Sequence, residues 1–390
     1  MPFEFARRLQ ALPPYLFKEL DRMRDEAVTR GVDIIDLGVG DPDRPTPPHI
    51  IEALGRAAAD PANHQYPAYS GLNIFRDAVA AWYGRRHGVR LEGARHVCSL
   101  IGSKEGIAHF PLAFLNPGEV ALVPEPGYPV YHIGALFAGG EPHFMPLLEK
   151  NGFRPDYKAV SEEVLKRARL IWVNYPNNPT GATTDLEFYT ELVAWARQRN
   201  LIVASDAAYS EMTWSDRPHP SILEAPGALD VAVEFHSLSK TYNMTGWRLG
   251  WAAGNEELIQ GLGRVKSNVD SGVFQAVQMA GLAALEGDQE PVRAMGRLYR
   301  ERRAALTEGL LAAGLSVFPS EATFYVWVRL PVGLSSAEFS SRLLDEAGIV
   351  ATPGNGFGPS GEGYARFALV QEVSRLKEAA ARLARLKFKK

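Results

Sequence analysis

The chain has a single cysteine, Cys98, in 390 residues, so no disulfide can form within it, which fits a reducing compartment. It has no run of about 18 apolar residues, so no membrane-spanning helix is expected. Its opening stretch, Met1-Pro2-Phe3-Glu4-Phe5-Ala6-Arg7-Arg8, lacks the apolar core of a secretory signal. Charge of one sign is not in excess. The 42 Lys and Arg against 45 Asp and Glu leave a net −3, which gives no reason to expect nucleic-acid or membrane binding. No Gly-x-Gly-x-x-Gly follows an early strand, and the cluster Gly354-Asn355-Gly356-Phe357-Gly358 comes late and is wrongly spaced for a nicotinamide dinucleotide. Internal repeats, low-complexity stretches and Pro-rich linkers are missing too, as is room for an appended basic DNA-binding domain. The expectation is a cytoplasmic globular enzyme with no metal.

What is present is core material. Hydrophobic residues make up 46% and charged residues 22%. Single cores stop growing at roughly 250–300 residues, so two domains are expected. Short apolar runs alternate with helical patterns in the middle: Val120–Val123, Leu170–Val173, Leu201–Ala204 and Val231–Val233 read as buried strands, and Leu186–Ala196 as a helix between two of them. This is α/β patterning, with a mostly parallel central sheet flanked by helices. Toward the end, Phe324–Val328 and Tyr364–Leu369 read as strands, and Arg297–Leu311, Ala337–Glu346 and Glu372–Leu386 as helices, a smaller α+β domain. The expected division is residues 46–274 for a large α/β domain, with 1–45 and 275–390 forming the small one. The short strand Asp33–Leu37 places the N-terminal part with the latter.

Open α/β sheets bind ligands at the carboxyl ends of their strands. After Leu170–Val173 comes Asn174-Tyr175-Pro176-Asn177-Asn178-Pro179-Thr180-Gly181. After Leu201–Ser205 comes Asp206-Ala207-Ala208-Tyr209, and after Val231–Val233 comes Ser237-Leu238-Ser239-Lys240. An amide, a carboxylate, a phenol and an amine would therefore share one rim. Lysine amines form Schiff bases with carbonyl cofactors, pyridoxal phosphate above all. Lys240 is the candidate anchor, Asp206 the carboxylate for a pyridine nitrogen, and Tyr209 and Asn178 the donors to a ring oxygen. A phosphate needs a cradle, and Gly102-Ser103-Lys104 opening a helix, with Ser237, Ser239 and the planar cation Arg248, supplies one. Tyr128 could stack on the ring. Each residue alone has an ordinary alternative: a surface lysine, a turn, a helix N-cap, a packed tyrosine. Their ordered convergence argues for the site.

Asn-Asn-Pro-Thr-Gly, Asp-Ala-Ala-Tyr, Ser-Leu-Ser-Lys-Thr-Tyr and Gly-Trp-Arg-Leu-Gly (177–181, 206–209, 237–242 and 246–250), in this order, resemble the class I/II aminotransferases of pyridoxal-enzyme fold type I. The resemblance implies pyridoxal 5′-phosphate and a homodimer with shared active sites. It also implies that Tyr66 reaches the partner subunit's phosphate, that Gly40 lies beside the substrate, and that Arg366 clamps its α-carboxylate. The implied reaction is two half-reactions with a 2-oxo acid acceptor, Lys240 acting as general acid and base. A lyase on the same fold would share the lysine, but Arg366 argues for a retained carboxylate. Leu12–Phe17, Gly38–Asp43, His64–Pro67 and Ser267–Gln275 are similar, more narrowly, to the LL-diaminopimelate aminotransferases. That implies a substrate site lined by Tyr15, Gly40 and Lys104, with Asn178 and Arg366, and Asn268 or Asp270 near distal polar groups. Aminotransferases of alanine, aspartate or aromatic amino acids share the frame. Ser205 departs from the histidine expected before the aspartate.

Overall fold

A computed structural model describes residues 3–12, 16–214 and 218–386. Its strands in chain order are β1 (Ile35–Asp36), β2 (Val97–Leu100), β3 (Val120–Glu125), β4 (Glu141–Pro146), β5 (Ala168–Asn174), β6 (Ile202–Asp206), β7 (Ala232–Ser237), β8 (Gly250–Gly254), β9 (Ser316–Val317), β10 (Tyr325–Arg329), β11 (Ile349–Val350), β12 (Thr352–Pro353) and β13 (Tyr364–Ala368). Seven of them form one sheet in the order β2-β8-β7-β6-β5-β3-β4. All its pairings are parallel except those of β8, which runs antiparallel to both β7 and β2.

Side-chain alternation along the strands shows why this sheet is buried on both faces. Leu170 and Trp172 of β5, with Val233 and Phe235 of β7, join Ile107, Phe110 and Leu262 from the helices Ser103–Phe114 and Glu256–Val269. Ile171 and Val173, with Val203 and Ala232, pack the other way against Phe75, Val79 and Tyr83 of the helix Asn73–His87. The helix Gln275–Glu286, placed with the smaller part from sequence, sends Ala280, Ala284 and Leu285 into this second cluster.

The antiparallel sheet β12-β13-β10-β9 carries the later helices. Leu306 and Leu310 of Glu290–Ala312, Phe339 and Leu343 of Ser336–Ala347, and Leu376 of Val373–Leu383 share a cluster with Phe324, Val326 and Phe367. Ile35 and Leu37 join the same cluster, and β1 pairs with β11 in parallel.

The structure corrects several sequence boundaries. The run at Val231 is the end of a short helix, Ala228–Val231, and the strand follows it. The helix expected from Arg297 begins at Glu290. β2, β4 and β8 were not read from sequence. β4 is an exposed edge strand with a proline at each end of its alternation, and β8 (Gly-Trp-Ala-Ala-Gly) lacks β-branched residues.

Candidate active site

The carboxyl ends of β5, β6 and β7 open into a cavity of about 510 Å³. Asn174 pins two of these ends together: its Nδ2 donates to the Asp206 carbonyl at 2.8 Å, and its Oδ1 accepts from the Asn178 backbone at 2.9 Å. β7 ends at Ser237 and passes into a helical turn, Leu238–Thr241, which lifts Lys240 into the cavity. A larger cavity of about 660 Å³, lined by arginines of Asn73–His87 and Glu290–Ala312, contains none of the strand-end residues and is not this site.

Three charged groups define the cavity's chemistry. Asp206 is buried, and burial raises its carboxyl above the ordinary range; hydrogen bonds from the Tyr131 hydroxyl (2.7 Å) and the Ala208 backbone (3.2 Å) act against that rise. Half-buried Lys240 donates to the Gly40 carbonyl at 3.0 Å and stands 5.4 Å above the Phe324 ring. Burial lowers its amine to about 8, with Arg366 and Arg248 pushing the same way and Asp41 opposing. Arg366 is 1% exposed. It donates to Asn178 Oδ1 at 2.9 Å and to the Gly38 carbonyl at 2.7 Å, with its guanidinium 4.2 Å from the Tyr325 ring.

The far end of the cavity is an anion cup. The helix Ser103–Phe114 starts there without a side-chain cap, after Gly102 at φ +73°. A Cβ on Gly102 would overlap the Arg248 guanidinium, and one on Gly250 would crowd the Ser103 N–H, so both approaches require glycine. Ser237 Oγ accepts from the Ser239 backbone at 3.2 Å, and Arg248 donates to Ser239 Oγ at 3.5 Å and the Thr245 carbonyl at 2.7 Å.

Gly40, Ser103, Lys104, Tyr128, Asn178, Asp206 and Tyr209 all line this one cavity, and so do Ser237, Ser239, Lys240, Arg248 and Arg366. Gly40 is constrained by contact, since a Cβ there would overlap the Tyr325 hydroxyl. Tyr66 does not line it and is 88% exposed. Tyr15 lies outside the described residues. Asn268 and Asp270 also fall outside the cavity, against expectation: Asn268 donates to the Arg264 carbonyl at 2.8 Å, and Asp270 is held by Lys266.

Sequence reading missed Tyr131, Tyr325 and Arg24, which line the cavity from other elements. Tyr325 hydrogen-bonds Tyr209 hydroxyl to hydroxyl at 3.1 Å. Tyr131 was within reach of sequence logic, since it lies three residues beyond Tyr128, in the first turn of the helix Val130–Phe137 that follows β3. Also missed was Arg302, fully buried, which grips both oxygens of Asp43 at 2.6 Å and the Leu369 carbonyl at 3.0 Å. Cys98 is buried, and burial pushes its thiol up to about 12, so it offers no nucleophile.

The family model for aminotransferase class I and II matches residues 32–383, and the chain belongs to that family. It is similar to the LL-diaminopimelate aminotransferase of Aquifex aeolicus (strain VF5), 58% identical over 386 residues, covering 99% of this chain and 100% of that one. The enzyme of the same name from Syntrophobacter fumaroxidans (strain DSM 10017 / MPOB) is 58% identical over 388 residues, with 100% of both chains covered. Among solved structures, substrate-bound BacF from Bacillus subtilis matches with a TM-score of 0.95 at 37% identity, covering 99% of this chain and 98% of that one. The fold is the fold type I aminotransferase architecture, an α/β sheet flanked by helices.

Proposed function

We propose that this enzyme moves an amino group between LL-2,6-diaminopimelate and 2-oxoglutarate, running from tetrahydrodipicolinate and glutamate in the biosynthetic direction, with pyridoxal 5′-phosphate anchored on Lys240. The observation that carries the reading is one cavity joining the lowered Lys240 amine, the buried Asp206 carboxylate and the buried Arg366 guanidinium. The cofactor fits the donor set. The uncapped helix start, Ser237, Ser239 and Arg248 would hold its phosphate, Asp206 its ring nitrogen, Tyr209 and Asn178 its ring oxygen, and Tyr128 its face. When bound, it supplies an electron sink for charge developing at the substrate Cα.

The chain's own residues do the rest. Arg366, planar and gripped from two sides, receives the substrate α-carboxylate. Lys240 takes the Cα proton on Nζ and passes it on away from Cα, and in the second half-reaction it carries a proton back to Cα. An amine near 8 suits both directions at neutral pH, because the ideal general base lies close to the working pH. Asn178 spends its carbonyl oxygen on Arg366, which leaves its N–H₂ as the donor. The Tyr131 hydrogen bond helps keep Asp206 ionised.

A substrate with two carboxylates fits the charge layout. Arg366 serves one, and Lys104 lines the same cavity together with Arg24, whose guanidinium is shared with Asp25 at 3.0 Å and Asp36 at 3.4 Å. Relatives 51–58% identical over nearly full length carry the LL-diaminopimelate name. Tyr15 and Gly40 are proposed to complete the substrate wall.

The working unit is proposed to be a cytoplasmic homodimer with a large cofactor-holding part around the seven-stranded sheet and a smaller part around the four-stranded one. Among the described residues no helix is long and apolar enough to cross a membrane. Tyr66, Tyr69, Val269 and Phe274 are 88%, 49%, 58% and 46% exposed on two neighbouring segments, joined by Gln275 Nε2 donating to the Gln65 carbonyl at 3.1 Å. Such an apolar cluster suits a second copy.

The test is a donor screen with added pyridoxal phosphate and 2-oxoglutarate. LL-diaminopimelate is expected to exceed alanine, aspartate and phenylalanine by at least about 100-fold in kcat/KM. Preference for one of those would overturn the substrate. Release of ammonia or carbon dioxide without transfer would overturn the reaction class.

A further inference from the structure

Behind the anion cup lies a cluster of charge around the buried Lys266, none of whose members lines the cavity. Lys266, on the helix Glu256–Val269, is 0% exposed. Its Nζ donates to Glu105 Oε2 at 3.0 Å and to both oxygens of Asp270, at 3.2 and 3.1 Å. Glu105 is the third residue of the helix whose start forms the cup. Its Oε2 also accepts from the Ile101 backbone at 3.1 Å, and its Oε1 meets His109 Nδ1 at 2.9 Å. Asp270 Oδ1 accepts from the Gly272 backbone at 2.8 Å. Glu105, His109 and Asp270 bring ligand atoms within 4.8 Å of one another, the spacing of a cation site, and the Lys266 ammonium bonds to both carboxylates there.

Two carboxylates removed from water need a countercharge, and removing it leaves both exposed to mutual repulsion. Burial alone would push the Lys266 ammonium down, but the charges of Glu105 and Asp270 and the hydrogen bond to Glu105 override it and hold it above its ordinary value. Glu105 stays below the usual carboxylate range through His109 and Lys266, against the pull of burial. The position of Glu105 matters because a helix N-terminus attracts anions through uncapped N–H groups and its partial positive charge. An unneutralised carboxylate two residues past Ser103 would oppose an anion at that same end.

We propose that Lys266 is a positioning residue for the cofactor phosphate: by neutralising Glu105 beneath the start of the helix Ser103–Phe114, it keeps the cup attractive to an anion while tying that helix to the Asp270 turn. The inference rests on reading the cup as the cofactor's phosphate end.

The test titrates cofactor-free protein with pyridoxal phosphate, followed by visible absorbance, with kcat measured separately at saturating cofactor. Lys266→Met is expected to weaken cofactor binding at least tenfold while kcat at saturation stays within threefold. Lys266→Arg should hold affinity within threefold of wild type. The double variant Glu105→Gln/Lys266→Met should bind more tightly than Lys266→Met alone, because the charge that needed neutralising is gone; lost packing would not be rescued this way. If the methionine variant does not fold, Lys266→Gln removes the charge, keeps a donor and gives the same readout. Wild-type affinity in a folded Lys266→Met or Lys266→Gln protein, or a double variant no better than the single, overturns the proposal. A wild type that binds pyridoxal phosphate while the variant binds equally well sinks only this inference; a wild type that binds none sinks the cofactor reading and this inference with it.

Discussion

Replacing Lys240 by methionine should make the cofactor-free protein more stable at neutral pH, although it removes the residue proposed to do the chemistry. The amine is lowered from 10.5 to about 8 by burial. A lysine depressed in the folded state penalises folding wherever the unfolded chain would carry the charge. The penalty is complete below about 8, shrinks as pH rises, and vanishes above 10.5. Its full size at pH 7 is roughly 3 kcal/mol. Half-burial lets water screen part of this, and the variant loses the hydrogen bond to the Gly40 carbonyl, about 1 kcal/mol. The expected net gain is about 1–2 kcal/mol at pH 7, falling to zero or below by about pH 10.5. Urea unfolding of both cofactor-free proteins, at one protein concentration and several pH values, measures it. A difference that does not change with pH, or that grows as pH rises, would refute the assignment of a lowered amine.

Arg366→Ala should cut kcat/KM by several hundred-fold or more, since losing one partner of a buried charged pairing costs about 3–5 kcal/mol, and steady-state kinetics on the preferred donor would show it. Tyr131→Phe removes the hydrogen bond that lowers the Asp206 carboxyl, so the acid limb of the kcat/KM profile should move to higher pH; an unmoved limb would break the link between that limb and Asp206. Gly40→Ala places a methyl on the Tyr325 hydroxyl and should cost about 10–100-fold in kcat/KM with an unchanged circular dichroism spectrum, whereas near-normal kinetics would show that the segment around Gly40 yields freely.

Much of the candidate site was legible because buried parallel strands read as unbroken apolar runs, and its polar residues sit at or just after their carboxyl ends. Asn178, Asp206 and Lys240 could be found that way. Tyr325 could not, because it reaches the cavity from β10 in the other sheet and shows in sequence only as one aromatic in an apolar run. Lys266 and Arg302 were hidden for a different reason: in helices with ordinary polar faces, a basic residue reads as solvated until its partners are known. Those partners, Glu105 and Asp43, lie 161 and 259 positions away in the chain. Asn268 and Asp270 do not line this chain's cavity, and the ion pair that Lys266 makes with Asp270 from four residues back carries no distinguishing pattern in sequence.

The bond between Arg302 and Asp43 gives the enzyme a mechanical linkage. The helix Glu290–Ala312 has 23 residues, a rod of roughly 34 Å. Arg302 lies near its middle, held fast to Asp43, and three residues before Asp43 the Gly40 carbonyl rests on the Lys240 amine. One unbroken run of contacts, from that helix through Asp43 and Gly40, therefore reaches the Lys240 amine. The place of the Lys240 amine and that of the helix Glu290–Ala312 are thus tied to the same four residues of chain, Gly40 to Asp43.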